Sequence, residues 1–105
     1  MRVYEMSLTV LRGLGQAARA IAGQDLDLAR QLRRAGTSVP LNIAEGAHGR
    51  GRRKQLSFSV ALGSARESRA CIHAAAALGY VEGDAYDALL GELDAVIAML
   101  YSLSR

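Results

Sequence analysis

The stretch QLRRAGTSVPLNIAEG, residues 31–46, decides the fold, because it places a proline inside an otherwise helical pattern. Pro40 removes one backbone hydrogen bond of a helix, and its ring presses on the carbonyl group four positions earlier. The apolar residues nevertheless keep to one helix face across the proline: Leu32, Gly36, Val39 and Ile43. The stretch therefore predicts a helix that is kinked at Pro40 and continues beyond it.

Three polar residues near the proline have structural explanations. Ser38 can donate a hydrogen bond to the carbonyl of Arg34 and so assist the bend. Asn42 and Glu45 lie three positions apart, and a general acid–base pair would need a further acidic or nucleophilic partner that the neighbouring sequence does not supply. We expect both residues to satisfy backbone groups freed by Pro40 or to cap a neighbouring helix.

Glycine-centred breaks divide the chain into four segments of about twenty to thirty residues, and these breaks lie at 22–25, 46–51 and 78–84. Asp25 and Asp84 are candidate N-caps of the second and fourth segments, and Gly79 is a candidate C-cap of the third. In the other three segments, residues that are apolar except for Arg69 recur at steps that place them on one helix face: Val3, Met6, Val10, Leu14, Ala17 and Ile21; Phe58, Leu62, Ala65, Arg69, Ile72 and Ala76; and Tyr86, Leu90, Leu93, Ile97 and Leu100.

Four amphipathic helices with short connections predict an all-α fold, an antiparallel up-down four-helix bundle. The composition favours helices as well, since 50% of the residues are apolar but only 5% are aromatic and Trp is absent. At 105 residues the chain is expected to form a single domain over 1–105.

Five glycines lie inside the predicted helices, where each costs about 1 kcal/mol relative to alanine. We expect them to mark close contacts between helices: Gly13, Gly15, Gly36, Gly63 and Gly91.

The first and last helices carry a second apolar stripe, which makes their apolar faces wider than the arc of about 100° that one bundle core needs. The surplus predicts self-association, with ordinary surface alanine and leucine as the alternative. The stripe consists of Tyr4, Leu8, Leu11, Ala18, Leu89, Val96, Met99 and Leu103.

The net charge of +3 is unevenly distributed, because residues 1–54 carry +6 and residues 55–105 carry −3. Such a split can indicate a face for nucleic acid or another anionic partner, complementary faces that meet in an assembly, or a solvated basic surface.

The sequence GAHGRGRRK, residues 46–54, is the strongest cationic cluster. It lacks the G-x-x-x-x-G-K-S/T spacing of a nucleotide-hydrolysing phosphate loop and follows a helix rather than a strand. It predicts a flexible cationic turn that meets phosphate backbones, with a solubilising loop as the alternative. The candidate nucleic-acid-binding residues are Arg30, Arg34, Arg50, Arg52, Arg53 and Lys54.

Other residue types narrow the possible functions. Cys71 is the only cysteine and is expected to be a small buried thiol in a reducing compartment. His48 and His73 are too few and too far apart for a metal site. Arg33 and Glu67 are expected to form a salt bridge between the second and third helices, which would specify register more than it stabilises.

We therefore expect no cofactor, no metal and no enzymatic activity. Apolar stretches fall short of the roughly twenty residues that cross a bilayer, and the expected location is cytoplasmic with no membrane partner.

Residues 31–81 also carry the pattern L-R-R-A-x-x-S-I/V-P-x-N-I-A-E-G, then A-x-G-S-x-x-E, then L-G-Y. In this the chain resembles the four-helix bundle family of intervening-sequence 23S rRNA proteins, which includes the accessory variability determinant of diversity-generating retroelements. The matching positions are Arg33, Arg34, Ser38, Pro40, Asn42, Glu45, Gly46, Gly63, Ser64 and Glu67, followed by Arg50.

The resemblance implies a homopentameric barrel with a basic surface for nucleic acid and, in the retroelement branch, a reverse transcriptase and its template RNA as partners. Arg52, Arg53 and Lys54 depart from the family, which usually has acidic residues there, so this turn is more cationic than expected. The leading hypothesis is a non-enzymatic, oligomeric nucleic-acid-binding scaffold. The alternative is an adaptor whose basic surface docks an acidic protein such as a reverse transcriptase.

Overall fold

The computed structural model describes all 105 residues and contains four α-helices. Helix α1 spans Arg2–Ala22, α2 Leu26–His48, α3 Gly51–Ala77 and α4 Asp84–Leu103. The helices contact one another in the cycle α1, α2, α3, α4 and back to α1, and the α2–α3 contact is the most extensive. The predicted all-α four-helix bundle is confirmed, and the short connections make successive helices antiparallel. No helix combines the length and the apolar content needed to cross a membrane.

The core is one cluster of 23 buried residues, which come from all four helices and, in the case of Val81, from the α3–α4 connection. The inner face predicted for α3 is partly wrong, because Arg69 is only half-buried and Ala76 is exposed. Helix α3 packs against both α2 and α4, which widens its buried arc beyond a single stripe. The additional buried residues of α3 are Ala61, Ser68, Cys71 and Ala75.

Part of the second apolar stripe belongs to this core. Ala18, Leu89 and Val96 are all buried within one chain, so they leave no surplus for a subunit interface. These residues are buried because α1 and α4 each pack against two neighbouring helices, so each helix needs a wider apolar face.

The helix ends follow from local chemistry. The Asp25 carboxylate accepts a hydrogen bond from the backbone N–H of Leu28 at 3.0 Å, which confirms it as the N-cap of α2. Gly79, at φ 79°, follows α3, and the Tyr80 N–H donates back to the α3 backbone, as in a Schellman motif. The prediction that Asp84 caps α4 is wrong: Gly83 is the N-cap, at φ 100°, and Asp84 is the first helical residue.

Helix α2 continues through Pro40, as predicted, and Pro40 is buried. The bend itself stays a prediction. The hydroxyl that bonds the Arg34 carbonyl belongs to Thr37, at 3.2 Å, and not to Ser38. Ser38 instead lies beside α3, where its hydroxyl has polar partners.

Polar side chains of α2 and α3 form a small network. The Asn42 side-chain amide donates to the Ser38 carbonyl at 2.8 Å and to the Ser38 hydroxyl at 3.0 Å. The Ser64 hydroxyl donates to the Ser38 hydroxyl at 2.7 Å, which joins the two helices. Asn42 thus bonds a backbone carbonyl near the proline, whereas Glu45 is exposed and contributes no hydrogen bond.

The ion pair predicted between Arg33 and Glu67 does not form, and both residues are exposed. The ion pair that the structure contains joins Arg69 of α3 to Asp94 of α4. Because both partners are partly solvated, the pair contributes little to stability.

The glycine prediction is correct for some positions and wrong for others. A Cβ atom on Gly13 would lie 2.8 Å from Leu89, and one on Gly36 would lie 3.1 Å from Leu11, so both mark close helix contacts. Gly46 is a further case, because its added Cβ would lie 3.0 Å from the ring of Phe58. No residue of a neighbouring helix approaches the other three: Gly15, Gly63 and Gly91.

Two titratable groups in the bundle have shifted pKa values. Burial, together with the Glu67 carboxylate one turn earlier, raises the pKa of the Cys71 thiol. Desolvation and the neighbouring Asp25 carboxylate raise the pKa of Tyr80. Cys71 is buried, as predicted.

Replacing Gly46 by alanine should lower the free energy of unfolding by about 1 kcal/mol, measured by urea denaturation. The new methyl group must displace the buried Phe58 ring, and overpacking of this kind costs roughly 1–3 kcal/mol. The middle of this range, about 2 kcal/mol, exceeds the gain in helix propensity of about 1 kcal/mol and leaves the expected net loss. The matched control is Gly91→Ala, which meets open space and should raise stability by about 0.5–1 kcal/mol. Equal stabilisation by both substitutions would contradict the tight Gly46–Phe58 contact.

Removing the hydroxyl contact between α2 and α3 should destabilise the bundle. A double-mutant cycle of Ser38→Ala and Ser64→Ala should give a coupling energy of about 1 kcal/mol, since each single variant leaves the other hydroxyl without its cross-helix partner. Thr37→Ala removes a hydroxyl that bonds only its own helix and should show no coupling to Ser64→Ala. Additive effects of Ser38→Ala and Ser64→Ala would contradict the hydrogen bond.

Candidate nucleic-acid interface

The antiparallel topology brings four helix ends together at one end of the bundle. The N-termini of α1 and α3 lie there beside the C-termini of α2 and α4. The Gln55 side-chain amide donates to the Arg105 carbonyl at 3.0 Å, and Tyr4 lines a cavity with His48, which confirms the juxtaposition. We name this the cationic end. Its exposed basic residues are Arg2, Arg50, Arg52, Arg53, Lys54 and Arg105, against the carboxylates of Glu5 and Glu45.

The opposite end of the bundle is acidic. It holds the α1–α2 and α3–α4 connections, and its only arginine or lysine residues are Arg19 and Arg30. Its carboxylates are Asp25, Asp27, Glu82, Asp84 and Asp87. Charge is therefore separated along the 42 Å long axis of the molecule. This separation differs from the asymmetry of the two sequence halves, because each half contributes residues to both ends.

The connection that carries the cationic cluster is shorter than predicted. Helix α2 ends at His48 and α3 begins at Gly51, so only two residues connect them. The flexible turn expected over 46–54 is therefore wrong in extent, because α2 continues through Gly46 to His48 and α3 already begins at Gly51. Gly51 adopts φ 56°, a conformation that favours glycine and allows this sharp reversal.

Most of the cluster lies on helix rather than loop. Arg52, Arg53 and Lys54 occupy the first turn of α3, while Arg50 is its N-cap and its side chain makes no capping bond. The first turn contains no acidic residue. Cations near a helix N-terminus are unfavourable, since the free N–H groups there already carry partial positive charge. Both features favour a bound anion.

A surface cavity of about 580 Å³ opens between the end of α2 and the start of α3. Arg50 and Arg53 line it together with His48, Ser57 and the Glu45 carboxylate. Guanidinium groups suit phosphate because their planar donors can bond two oxygens at once. The cavity can thus hold an anionic group.

Two of the predicted binding residues lie elsewhere. Arg30 and Arg34 are exposed on α2, but at about 1.5 Å per residue they lie roughly 27 and 21 Å before His48 along the helix axis. The structure brings Arg50, Arg52, Arg53 and Lys54 together and leaves Arg30 and Arg34 outside this group.

Sequence reasoning missed two cations, Arg2 and Arg105, at opposite ends of the chain. The predicted up-down topology already contained the necessary information, because a bundle of four helices returns its C-terminus to the end where it began. The Arg105 guanidinium lies 5.5 Å from the centre of the Tyr101 ring, a cation–π contact.

Comparisons with known proteins agree with this fold. The crystal structure of a protein of unknown function from the S23 ribosomal protein family of Bacteroides thetaiotaomicron superposes with a TM-score of 0.90. The two chains are 19% identical, and the match covers 98% of each, which shows a shared fold. No curated protein sequence matches the chain. The family model described as 23S rRNA-intervening sequence protein matches residues 1–102, nearly the whole chain. The protein therefore belongs to the 23S rRNA-intervening sequence protein family.

Proposed function

We propose that this protein is a non-enzymatic, oligomeric scaffold that binds the phosphate backbone of nucleic acid at its cationic end. The observation that carries the proposal is the group Arg50, Arg52, Arg53 and Lys54, which has no carboxylate in the first turn of α3 and forms no ion pair within the chain. Each of these side chains is exposed.

Such a group binds nucleic acid by neutralising phosphates and releasing their condensed counterions. Contacts of this type position a strand without reading its sequence. The family description refers to 23S rRNA, so RNA is the first nucleic acid to test.

The structural roles of three polar motif residues, Ser38, Asn42 and Ser64, support a non-enzymatic function. The hydroxyls of Ser38 and Ser64 bond each other, and the Asn42 amide bonds Ser38. These groups serve the α2–α3 contact, and none of them lines the cationic cavity.

Self-association is the second part of the proposal, and exposed apolar side chains of α2 and α3 support it. Leu41 is 68% exposed and Val60 is 44% exposed. Leu41 is three positions after Ser38 and Val60 four before Ser64, so both lie beside the hydroxyl contact between the helices. The family resemblance implies a pentamer, and repetition of the cationic end in any oligomer would raise avidity for a polyanion.

Replacing the four cations of the cluster by serine should lower the affinity for RNA and also make that affinity less dependent on salt. In the variant Arg50→Ser, Arg52→Ser, Arg53→Ser and Lys54→Ser, the slope of log affinity against log salt should become shallower by up to about 3, since each phosphate contact to a single strand contributes about 0.7. Fluorescence anisotropy titrations between about 50 and 200 mM salt measure both quantities.

The matched control removes four exposed arginines distant from the cationic end: Arg12→Ser, Arg19→Ser, Arg33→Ser and Arg66→Ser. It changes the net charge equally and should retain most of the slope. Equal losses in both variants would indicate a general charge effect and would contradict a localised site. If the protein does not bind nucleic acid and a nuclease-resistant protein partner is recovered instead, the adaptor hypothesis takes its place, with an acidic protein such as a reverse transcriptase on the same surface.

Light scattering should give a solution mass several times the 11.2 kDa of one chain. The variant Leu41→Lys with Val60→Lys should lower this mass toward that of the monomer, because two charges would have to be buried in the interface. The control is Leu26→Lys with Leu78→Lys, which replaces exposed leucines at the acidic end and should leave the mass unchanged. A monomeric wild-type protein would contradict self-association.

A further inference from the structure

An apolar cavity adjoins the cationic cavity, and the two share one lining residue, His48. The apolar cavity has a volume of about 390 Å³, within the range of about 300–1,000 Å³ for small-molecule pockets. It lies between the start of α1 and the end of α2, and its lining consists of Met1, Tyr4, Ile43, Ala44, Ala47 and His48.

The periodicity of α2 explains why His48 belongs to both cavities. Glu45 and Gly49, four residues apart, face the cationic cavity, while Ala44 and Ala47 face the apolar one. At 3.6 residues per turn His48 falls between these two directions. His48 therefore lies between a cavity suited to an anion and a cavity suited to a flat apolar group.

We propose that the two cavities form one bipartite nucleotide site that selects unpaired nucleotides. The cationic cavity takes a backbone phosphate between Arg50 and Arg53. The apolar cavity takes the attached base against the rings of Tyr4 and His48. This inference rests on the proposed function and specifies its ligand as single-stranded nucleic acid. Phosphate contacts alone would not distinguish single-stranded from double-stranded nucleic acid.

The selection follows from the geometry of base pairing. A base within a duplex is stacked between its neighbours, and only an unstacked base can enter a cavity on a protein. Stacking of a base on an aromatic side chain is largely independent of sequence, because every base has a π-face. The site would thus favour single strands without selecting a sequence.

Charge favours this occupant over a second copy of the chain. The cavity borders Arg50 and Arg53, and a second copy would have to bring an anionic group to them together with an apolar one. A nucleotide carries both groups at adjoining positions.

The test measures affinity for three RNA probes of equal length at one salt concentration: a single strand, the same strand in a duplex, and a single strand whose nucleotides lack bases. Ala47→Leu narrows the apolar cavity and leaves every cation in place, and Ala47 is exposed, so the substitution is compatible with folding. We expect it to weaken binding of the intact single strand about tenfold and to change affinity for the duplex and the abasic strand little.

Two further variants provide controls. Ala20→Leu places the same side chain on an exposed position of α1, roughly 24 Å along the helix axis from Tyr4, and should change no affinity. Tyr4→Ala should reproduce the loss caused by Ala47→Leu, whereas Tyr4→Phe keeps the ring and should retain affinity.

The outcomes separate the inference from the function it rests on. If Ala47→Leu lowers the affinity for all three probes equally, or for none, the base pocket is rejected while phosphate binding stands. If Ala47→Leu changes the solution mass, a second copy of the chain covers the cavity and the inference is likewise rejected. If the wild-type protein binds none of the probes, the proposed function itself fails.

Discussion

The contact between α2 and α3 determines where the cationic side chains at the start of α3 lie. The Phe58 ring packs on Gly46, and any other residue at position 46 would have a Cβ atom that forces the ring to move. About two turns away, the Ser64 hydroxyl donates to Ser38 and fixes the register of the two helices. These contacts bring the two helix axes together just before the chain reverses, so the reversal needs only two residues. A wider spacing would require a longer loop and would disperse the cations that follow it.

The short reversal explains why the cluster is helical. Because α3 begins directly after the turn, Arg52, Arg53 and Lys54 project from its first turn at fixed angles. Their side chains can still change rotamer, but the helix fixes the positions of their Cα atoms. Ordered attachment lowers the entropy lost when a polyanion binds, compared with a flexible loop that must first be ordered. The proposed interface is in this sense more organised than a solubilising loop would be.

The helices, the bundle topology and the Asp25 cap could be predicted because each depends on local spacing or on connection length. The ion pair could not, because it depends on side-chain directions at helix surfaces, which a periodic pattern does not specify. The Asp84 cap could not, because it depends on the residue at which the helix begins, and Gly83 occupies the cap position. Arg33 is separated from Glu67 although their helices are neighbours, whereas Arg69 faces Asp94. The cationic end required topology as well as composition, since Arg2 and Arg105 join the cluster only when the helices are arranged in space.

The placement of charge at the start of α3 is unfavourable for the isolated chain. Three cations repel one another and the exposed N–H groups of the helix, and no first-turn carboxylate offsets them. An aspartate at these positions would stabilise the helix, which is the arrangement at the start of α4, where Asp84 and Asp87 lie. The same bundle thus contains one helix start that is electrostatically favourable by itself and one that becomes so when an anion binds. This difference supports the proposal that the cations at the start of α3 serve binding rather than folding.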